Sequence, residues 1–355
     1  SNGTANGSGT IVVDYSKRNG YAMDKTITRL PDNGKLVFDG LIFDRGNSIA
    51  YRYKKDNRED AGWPEGIETP MMQPIGTAGF NGNFSSEATI EPDVFTNESP
   101  IISLSTTPVP YELTIKNCAF INCPNYAIRG LFAGKATISN NIFVNVRMAA
   151  VEVRGCDNKV NAEMYFNYNT VLFCWARKKD LGDMGYGFRY MPGTNQYLEH
   201  NIIGCTTFAG LDRTHVDSDK TKEAKRVTTA NHNLFFLNKQ ADLTLPGGGM
   251  FQRIWNKQFD DVDQLAESDG NKDLDPKMLQ GIIDETYLNE FLHISYTETA
   301  SVDRNSAANQ FRSAMGMNIQ GTISSRVTMY ANRYNHDKAL KFFGAVKGYG
   351  AQMPK

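Results

Sequence analysis

The sequence predicts an all-β solenoid, a parallel β-helix, and three observations predict it: a recurring phrase, the steps between its copies and the side chains that fill it. The phrase is ISNNIF at Ile138–Phe143, FNYNTV at Phe166–Val171, LEHNII at Leu198–Ile203 and ANHNLF at Ala230–Phe235. Aligned, it puts Asn141, Asn169, Asn201 and Asn233 in one column, and Phe143, Val171, Ile203 and Phe235 in a second. LTIKNCAF adds Cys118 and Phe120 to the same columns, and LVFDGLIF adds Leu41 and Phe43. The steps along the first column are 23 (118 to 141), 28 (141 to 169), 32 (169 to 201) and 32 (201 to 233). Repeats of this length, rich in β-branched and aromatic residues at period two, suit stacked coils rather than helical repeats. A coil cannot bury its own apolar face, so each side chain stacks on its counterpart about 4.8 Å away. An asparagine amide can donate to one neighbour and accept from the other, which explains a poor strand former at a bend.

Thr10–Asp14, Lys25–Leu30 and Lys35–Tyr53 read as opening strands, followed by a glycine-rich excursion over about 54–99. Residues 1–9 read as a tag or linker, and 10–355 as a single domain. Within it, coils fill about 10–237, with insertions at Arg177–Gly185 and Val216–Arg226. A loop and helical insertion occupies about 238–290, with helical character at Phe259–Glu267 and further on at Asp303–Ala314. A partly helical cap takes about 291–355, closing in Lys338–Gln352.

Lys and Arg total 38 against 39 Asp and Glu, so the net charge of −1 gives no bulk attraction to nucleic acid. No apolar run is long enough for a membrane span. Five cysteines, an odd number, argue for thiols in the core rather than a disulfide framework. Cys123 and Cys174 each lie five positions after a ladder residue, in one inward column two coils apart and too distant to bridge. No cofactor is indicated. Calcium stays an open alternative, since acidic residues cluster at Asp56, Glu59 and Asp60 and at Asp260, Asp261 and Asp263, neither run with EF-hand spacing.

The second strand of each coil carries an arginine: Arg52 in AYRY, Arg129 in AIRG, Arg154 in VEVRG, Arg189 in GFRY and Arg213 in GLDRT. With Tyr51, Ile128, Val153 and Phe188 inward, alternation sends Arg52, Arg129, Arg154 and Arg189 outward as a basic stripe. If Leu211 points inward, Asp212 rather than Arg213 takes the outward place. Like charges stacked in register repel. Glu152 and Asp212 could compensate structurally, or a bound polyanion could do so, because the guanidinium fork matches carboxylate and sulfate oxygens. His200 and His232 precede ladder asparagines and read as bend residues.

On the NNIF, YNTV, HNII and HNLF phrases, over about Gly34–Leu237, the chain resembles the right-handed parallel β-helix class of carbohydrate-active proteins. That class includes the pectate-lyase-like enzymes, the chondroitinase B and alginate lyase family and the mannuronan C5-epimerases. The resemblance implies β-elimination or epimerisation on a uronic-acid polymer, hence an anionic polysaccharide partner and a secreted, periplasmic or cell-surface protein. Such chemistry needs a cation to neutralise the C6 carboxylate, a base for the C5 proton and an acid for the leaving oxygen. Arg189 or Arg154 would neutralise, and His215, Lys178 and Tyr190 are candidate base or acid. Arg52, Arg129, Arg213 and Glu152 would bind substrate, and Trp63 and Trp175 would offer stacking platforms. The DPHD string of the epimerases is absent. The expectation is a polysaccharide lyase; a glycoside hydrolase, an epimerase or a non-catalytic glycan-binding or structural β-helix are the alternatives, and the oligomeric state is undetermined.

Overall fold

The structure, a computed structural model, describes residues 11–14, 34–44, 102–104, 111–123, 126–155, 162–175, 185–206, 208–238, 241–247, 257–273, 335–342 and 345–352. Its strands stack into three sheets, and the chain visits each once per coil. Sheet I holds Ile11–Asp14, Leu41–Asp44, Ala119–Cys123, Ile142–Arg147, Thr170–Trp175, Ile202–Gly204, Leu234–Phe236 and Lys272–Asp273. Sheet II holds Ile102–Leu104, Ile128–Phe132, Ala149–Gly155, Tyr186–Tyr190, Ala209–Asp212 and Ala241–Leu245, with Lys257–Phe259 added antiparallel at its end. Sheet III holds Lys35–Asp39, Tyr111–Lys116, Gly134–Ser139, Ala162–Asn167, Asn195–Glu199 and Thr228–Asn231. All other pairings are parallel, so the fold is a parallel β-helix.

The aligned columns are the structural columns. Phe43, Phe120, Phe143, Val171, Ile203 and Phe235 are successive partners in sheet I. The first three rings stack at 4.9 and 4.8 Å, and all six side chains are buried. The asparagines behave the same way. Asn169 Nδ2 donates to Asn201 Oδ1 at 3.2 Å and to the Ile138 carbonyl at 2.9 Å, while its own Oδ1 accepts from the backbone and side-chain nitrogens of Asn141. Asn201 and Asn233 repeat the pattern. A further member, Asn271, accepts from Asn233 and so carries the coils past Leu237 to Lys272–Asp273. The sequence reading stopped at Leu237 because the step from 233 to 271 is 38 residues, longer than any before it.

Two bends recur at fixed distances from this ladder. The residue before each ladder position is left-handed: Gly40, Asn117, Asn140, Tyr168, His200, His232 and Gly270 all have φ between 53° and 71°. That conformation favours Gly, Asn and His. Their side chains stack too, with Tyr168 on His200 at 4.8 Å and His200 on His232 at 5.5 Å. Four residues after the ladder, Asn122, Asn145, Phe173, Cys205 and Leu237 are also left-handed, and this bend turns sheet I toward sheet II. Asn145 donates to Asn122, and Asn122 to Asp44, each at 2.8 Å. The sequence reading did not anticipate this second bend, because Phe173 and Leu237 carry no turn signature.

Cys123, Val146 and Cys174 share one inward column, and Cys118, Cys123, Cys174 and Cys205 are all buried. The expected helix over Phe259–Glu267 is a single 3-10 turn, Val262–Gln264, and the insertion at Val216–Arg226 holds one short helix, Lys220–Glu223. Near the end of the chain a helix, His336–Phe342, precedes a segment that lies along the flank of the solenoid. There the Gly350 N–H donates to the His200 carbonyl, the Ala351 N–H to Thr170 Oγ1 and the Gln352 N–H to Asn140 Oδ1, one residue to each of three successive coils. Gly350 is required, since a Cβ there would sit 2.5 Å from Thr170 Oγ1. Lys25–Leu30, the 54–99 excursion and Asp303–Ala314 lie outside the described residues.

Asn169→Leu should remove the acceptor of the Asn141 backbone and side-chain N–H groups and the donor to the Ile138 carbonyl, leaving buried backbone groups unpaired, while the Asn169 backbone N–H still donates to Asn201 Oδ1. A loss of about 1–3 kcal/mol for each such group should appear as a lower denaturation midpoint; an unchanged midpoint would contradict the ladder's structural role.

Candidate functional site

Counting 11 residues from the ladder picks out one outward position in sheet II: Arg129 from 118, Glu152 from 141, Asp212 from 201 and Thr244 from 233. Arg189 joins them from the coil whose insertion lengthens its count. The register makes them direct neighbours in the order Ser103, Arg129, Glu152, Arg189, Asp212, Thr244. Inward, Ile128, Val151, Phe188, Leu211 and Leu243 stack in the core. The outward row is therefore not a stripe of arginines but an alternation of charges. Arg129 Nε meets Glu152 Oε1 at 2.9 Å; Arg189 Nη1 meets Glu152 Oε2 at 2.9 Å and its Nε meets Asp212 Oδ2 at 3.0 Å. Thr214 and Thr244 hydroxyls donate to Asp212 Oδ1 at 2.6 and 2.9 Å.

Alternation alone is not evidence of function. Sheet III shows it as well, in Lys35, Glu112, Lys135 and Glu163, on a face open to water. Burial distinguishes sheet II: Glu152, Arg189 and Asp212 are almost fully enclosed, while the Arg129 side chain is 49% exposed. An aromatic wall does part of the enclosing. Tyr126, Met148, Ala149, Tyr186, Phe208 and Ala209 form a buried cluster beside the row, with Arg129 over the Tyr126 ring at 4.5 Å and Arg189 over the Tyr186 ring at 4.9 Å. Burial works against the Arg189 charge, yet the Asp212 carboxylate, with Glu152 behind it, more than offsets that and raises its pKa. Burial and then Glu152 push the Tyr126 phenol up to about 12, so it stays protonated.

His215 closes the row. Its Nε2 lies 3.2 Å from Arg189 Nη2 and its Nδ1 3.3 Å from Thr214 Oγ1, with Asp212 Oδ2 at 3.8 Å. Burial first, and then the Arg189 cation, lower its pKa below the ordinary histidine value; Arg154 adds to this and Asp212 opposes it. The ring is thus neutral at neutral pH, and its side chain keeps 27% of its surface open. The row with its histidine can accept a proton at the rim, beside two solvent-facing cations, Arg129 and Arg154.

Of the residues singled out from sequence, Arg129, Glu152, Arg189 and His215 come together here, and Arg154 is exposed nearby. Arg189 is not on a solvent-facing groove: it is buried between two carboxylates, and the exposed stripe expected for it is corrected accordingly. Tyr190 is fully buried on the inward side, partnered with Val153, and Arg213 stacks over its ring at 3.7 Å while pairing with Glu223. Neither faces the row. Trp175 ends its strand in sheet I, away from the row, and its side chain, like Arg52, Trp63 and Lys178, lies outside the described residues. Tyr126, Tyr186 and Thr214 were missed because no residue type repeats with them: Tyr186 is in register with Ala149 and Ala209. No family model, curated protein or solved structure matches this chain. Its chemistry is therefore argued from its own residues.

Among the described residues no group of three or more His, Cys, Asp or Glu side chains is placed to hold a metal ion, and no helix is long and apolar enough to cross a membrane. Asp261 and Asp263 of the second acidic run cap local turns, Asp263 accepting from Gly270 and Asn271. Asp56, Glu59 and Asp60 lie outside the described residues.

Arg189→Ala should leave two buried carboxylates without their shared cation. The cost should be about 3–5 kcal/mol, the scale for breaking a buried pair, read as a fall in unfolding free energy; a change within the range of exposed pairs would show the row to be solvated. Titration of His215 by NMR should give a pKa below about 6.5, the unperturbed value. Because its folded pKa is depressed, its contribution to stability is full above that value and is lost as pH falls through it; a pKa at or above it would overturn the assignment.

Proposed function

We propose that this chain is a polysaccharide lyase of the pectate-lyase-like kind, acting on an anionic uronic-acid polymer outside the cytoplasm. The observation that carries this reading is the His215 imidazole: neutral, partly open and fixed against Arg189, with Arg129 and Arg154 on the same face. A neutral imidazole at the rim is suited to take a proton near pH 7. In the proposed reaction His215 removes the C5 proton of a bound uronate. The electron pair forms the C4–C5 double bond, the C4–O bond breaks, and the leaving oxygen takes a proton, for which Lys178 remains the candidate donor. Arg129 and Arg154 neutralise the C6 carboxylate, the part expected of Arg189 or Arg154. Arg189 instead positions the imidazole and lowers its basicity.

One observation favours a second reading, a non-catalytic glycan-binding β-helix. The row is neutral within itself, two arginines against Glu152 and Asp212, and needs no ligand to be satisfied.

Incubation with alginate, pectate and chondroitin separates the two. A lyase generates an unsaturated uronate whose ultraviolet absorbance grows with time, and His215→Ala should lower that rate by about 10²–10⁴, the usual contribution of a general base, with the unfolding midpoint held. Silence on every polymer, with binding that weakens as salt rises, would leave the binding module standing in place of the enzyme.

A further inference from the structure

A second cluster of polar groups lies at the corner between sheets II and III, behind the excursion Arg213–Val227. Its floor is one coil, where Tyr190 ends its strand of sheet II and Gln196 is the second residue of the next strand of sheet III. Its roof is the following coil. Arg213 lies over the Tyr190 ring, and Thr228 is the partner of Gln196, secured by the Gln196 N–H to Val227 carbonyl bond at 2.9 Å and the Val227 N–H to Asn195 Oδ1 bond at 3.1 Å. Burial raises the Tyr190 phenol pKa to about 12; Arg213 and, less strongly, Arg226 act against that rise while Glu223 and Asp217 add to it, so two cations and two carboxylates surround its hydroxyl.

Five buried polar atoms in this corner have no hydrogen-bond partner among the described residues: Tyr190 Oη, Arg213 Nη1, Arg226 Nε, Thr228 Oγ1 and Gln196 Oε1. Four of the five can donate, and the two guanidinium nitrogens can do nothing else. One water accepts too few bonds to satisfy them all. The charge count agrees. Over 213–228 the cations are Arg213, Lys220, Lys222, Lys225 and Arg226, five, against Asp217, Asp219 and Glu223, three. Glu223 pairs with Arg213 and Asp219 with Lys222, while Arg226 forms no ion pair among the described residues. A partly buried guanidinium with an unmet Nε is costly unless an anion meets it.

We infer that this corner is a binding site for a small oxyanion, a sulfate, phosphate or carboxylate, held by Arg226 Nε, Arg213 Nη1 and the hydroxyls of Tyr190 and Thr228. The site is separate from the charge row: it faces the inward side of the Tyr190 strand and does not depend on the lyase reading. The excursion that covers it begins at Arg213 and carries His215, so an anion here would fix the loop from which the histidine projects.

Thermal unfolding of the full chain in sodium sulfate, against sodium chloride at equal ionic strength, tests the site without any turnover readout. A rise in midpoint that saturates with sulfate is expected, and Arg226→Gln should weaken its half-saturation about ten- to hundredfold, the equivalent of one charge-assisted hydrogen bond. Arg226→Lys, which keeps the charge but lacks Nε, should weaken it as well, and equilibrium dialysis of labelled sulfate on the unmodified chain covers the case in which a variant fails to fold. Galacturonate that displaces the label identifies a sugar carboxylate as the source; sulfate retained against galacturonate identifies a free inorganic anion. A response that never saturates, or is equal in Arg226→Gln, is the general salting effect of sulfate and overturns the site, as does dialysis without bound label.

Discussion

Everything in this molecule depends on the register between coils. Parallel coils spaced about 4.8 Å apart bring the same position of successive coils into contact, so each column must be a row of side chains that tolerate their own neighbours. The columns solve this differently. Apolar positions stack rings and branched chains, as Phe43, Phe120 and Phe143 do. Amides solve it by being donor and acceptor at once, from Asn141 to Asn271. Charges solve it by alternating, since like charges in register repel.

The first two solutions were legible in the sequence because they repeat the same residue type. A run of asparagines at steps of 28, 32 and 32 announces itself, and the apolar column two positions on confirms the phase. The charge row was not legible in the same way. Its members differ in type from coil to coil, and searching for arginines selected Arg154 and Arg213, which stand at other positions, alongside Arg129 and Arg189. Position rather than residue type was the better guide, because 11 residues from the ladder gives Arg129, Glu152, Asp212 and Thr244 wherever no insertion intervenes. Arg189 needed the structure, since the insertion at Arg177–Gly185 stretches its count from Asn169 to 20. The aromatic wall needed it too, because its column, Ala149, Tyr186, Ala209 and Ala241, changes residue type from coil to coil.

Burial then separates chemistry from architecture. The alternating row on sheet III remains open to water, where pairs of this kind contribute little. The row on sheet II is covered by Tyr126, Tyr186 and Phe208, where the same alternation becomes a set of strong and mutually dependent bonds. His215 inherits its properties from that enclosure. Its lowered basicity comes from burial and from a cation that the row itself holds in place.

The flank segment Gly350–Gln352 bears on the order of folding during synthesis. Its contacts to Thr170 and Asn140 span 181 and 212 residues of chain, yet they touch three adjacent coils. Coils can close one upon another as they leave the ribosome, each templated by the last. This segment cannot take part until the coils at Asn140, Thr170 and His200 already stand in line. Its docking marks those three coils as already closed, a long-range clasp laid over a sequential assembly.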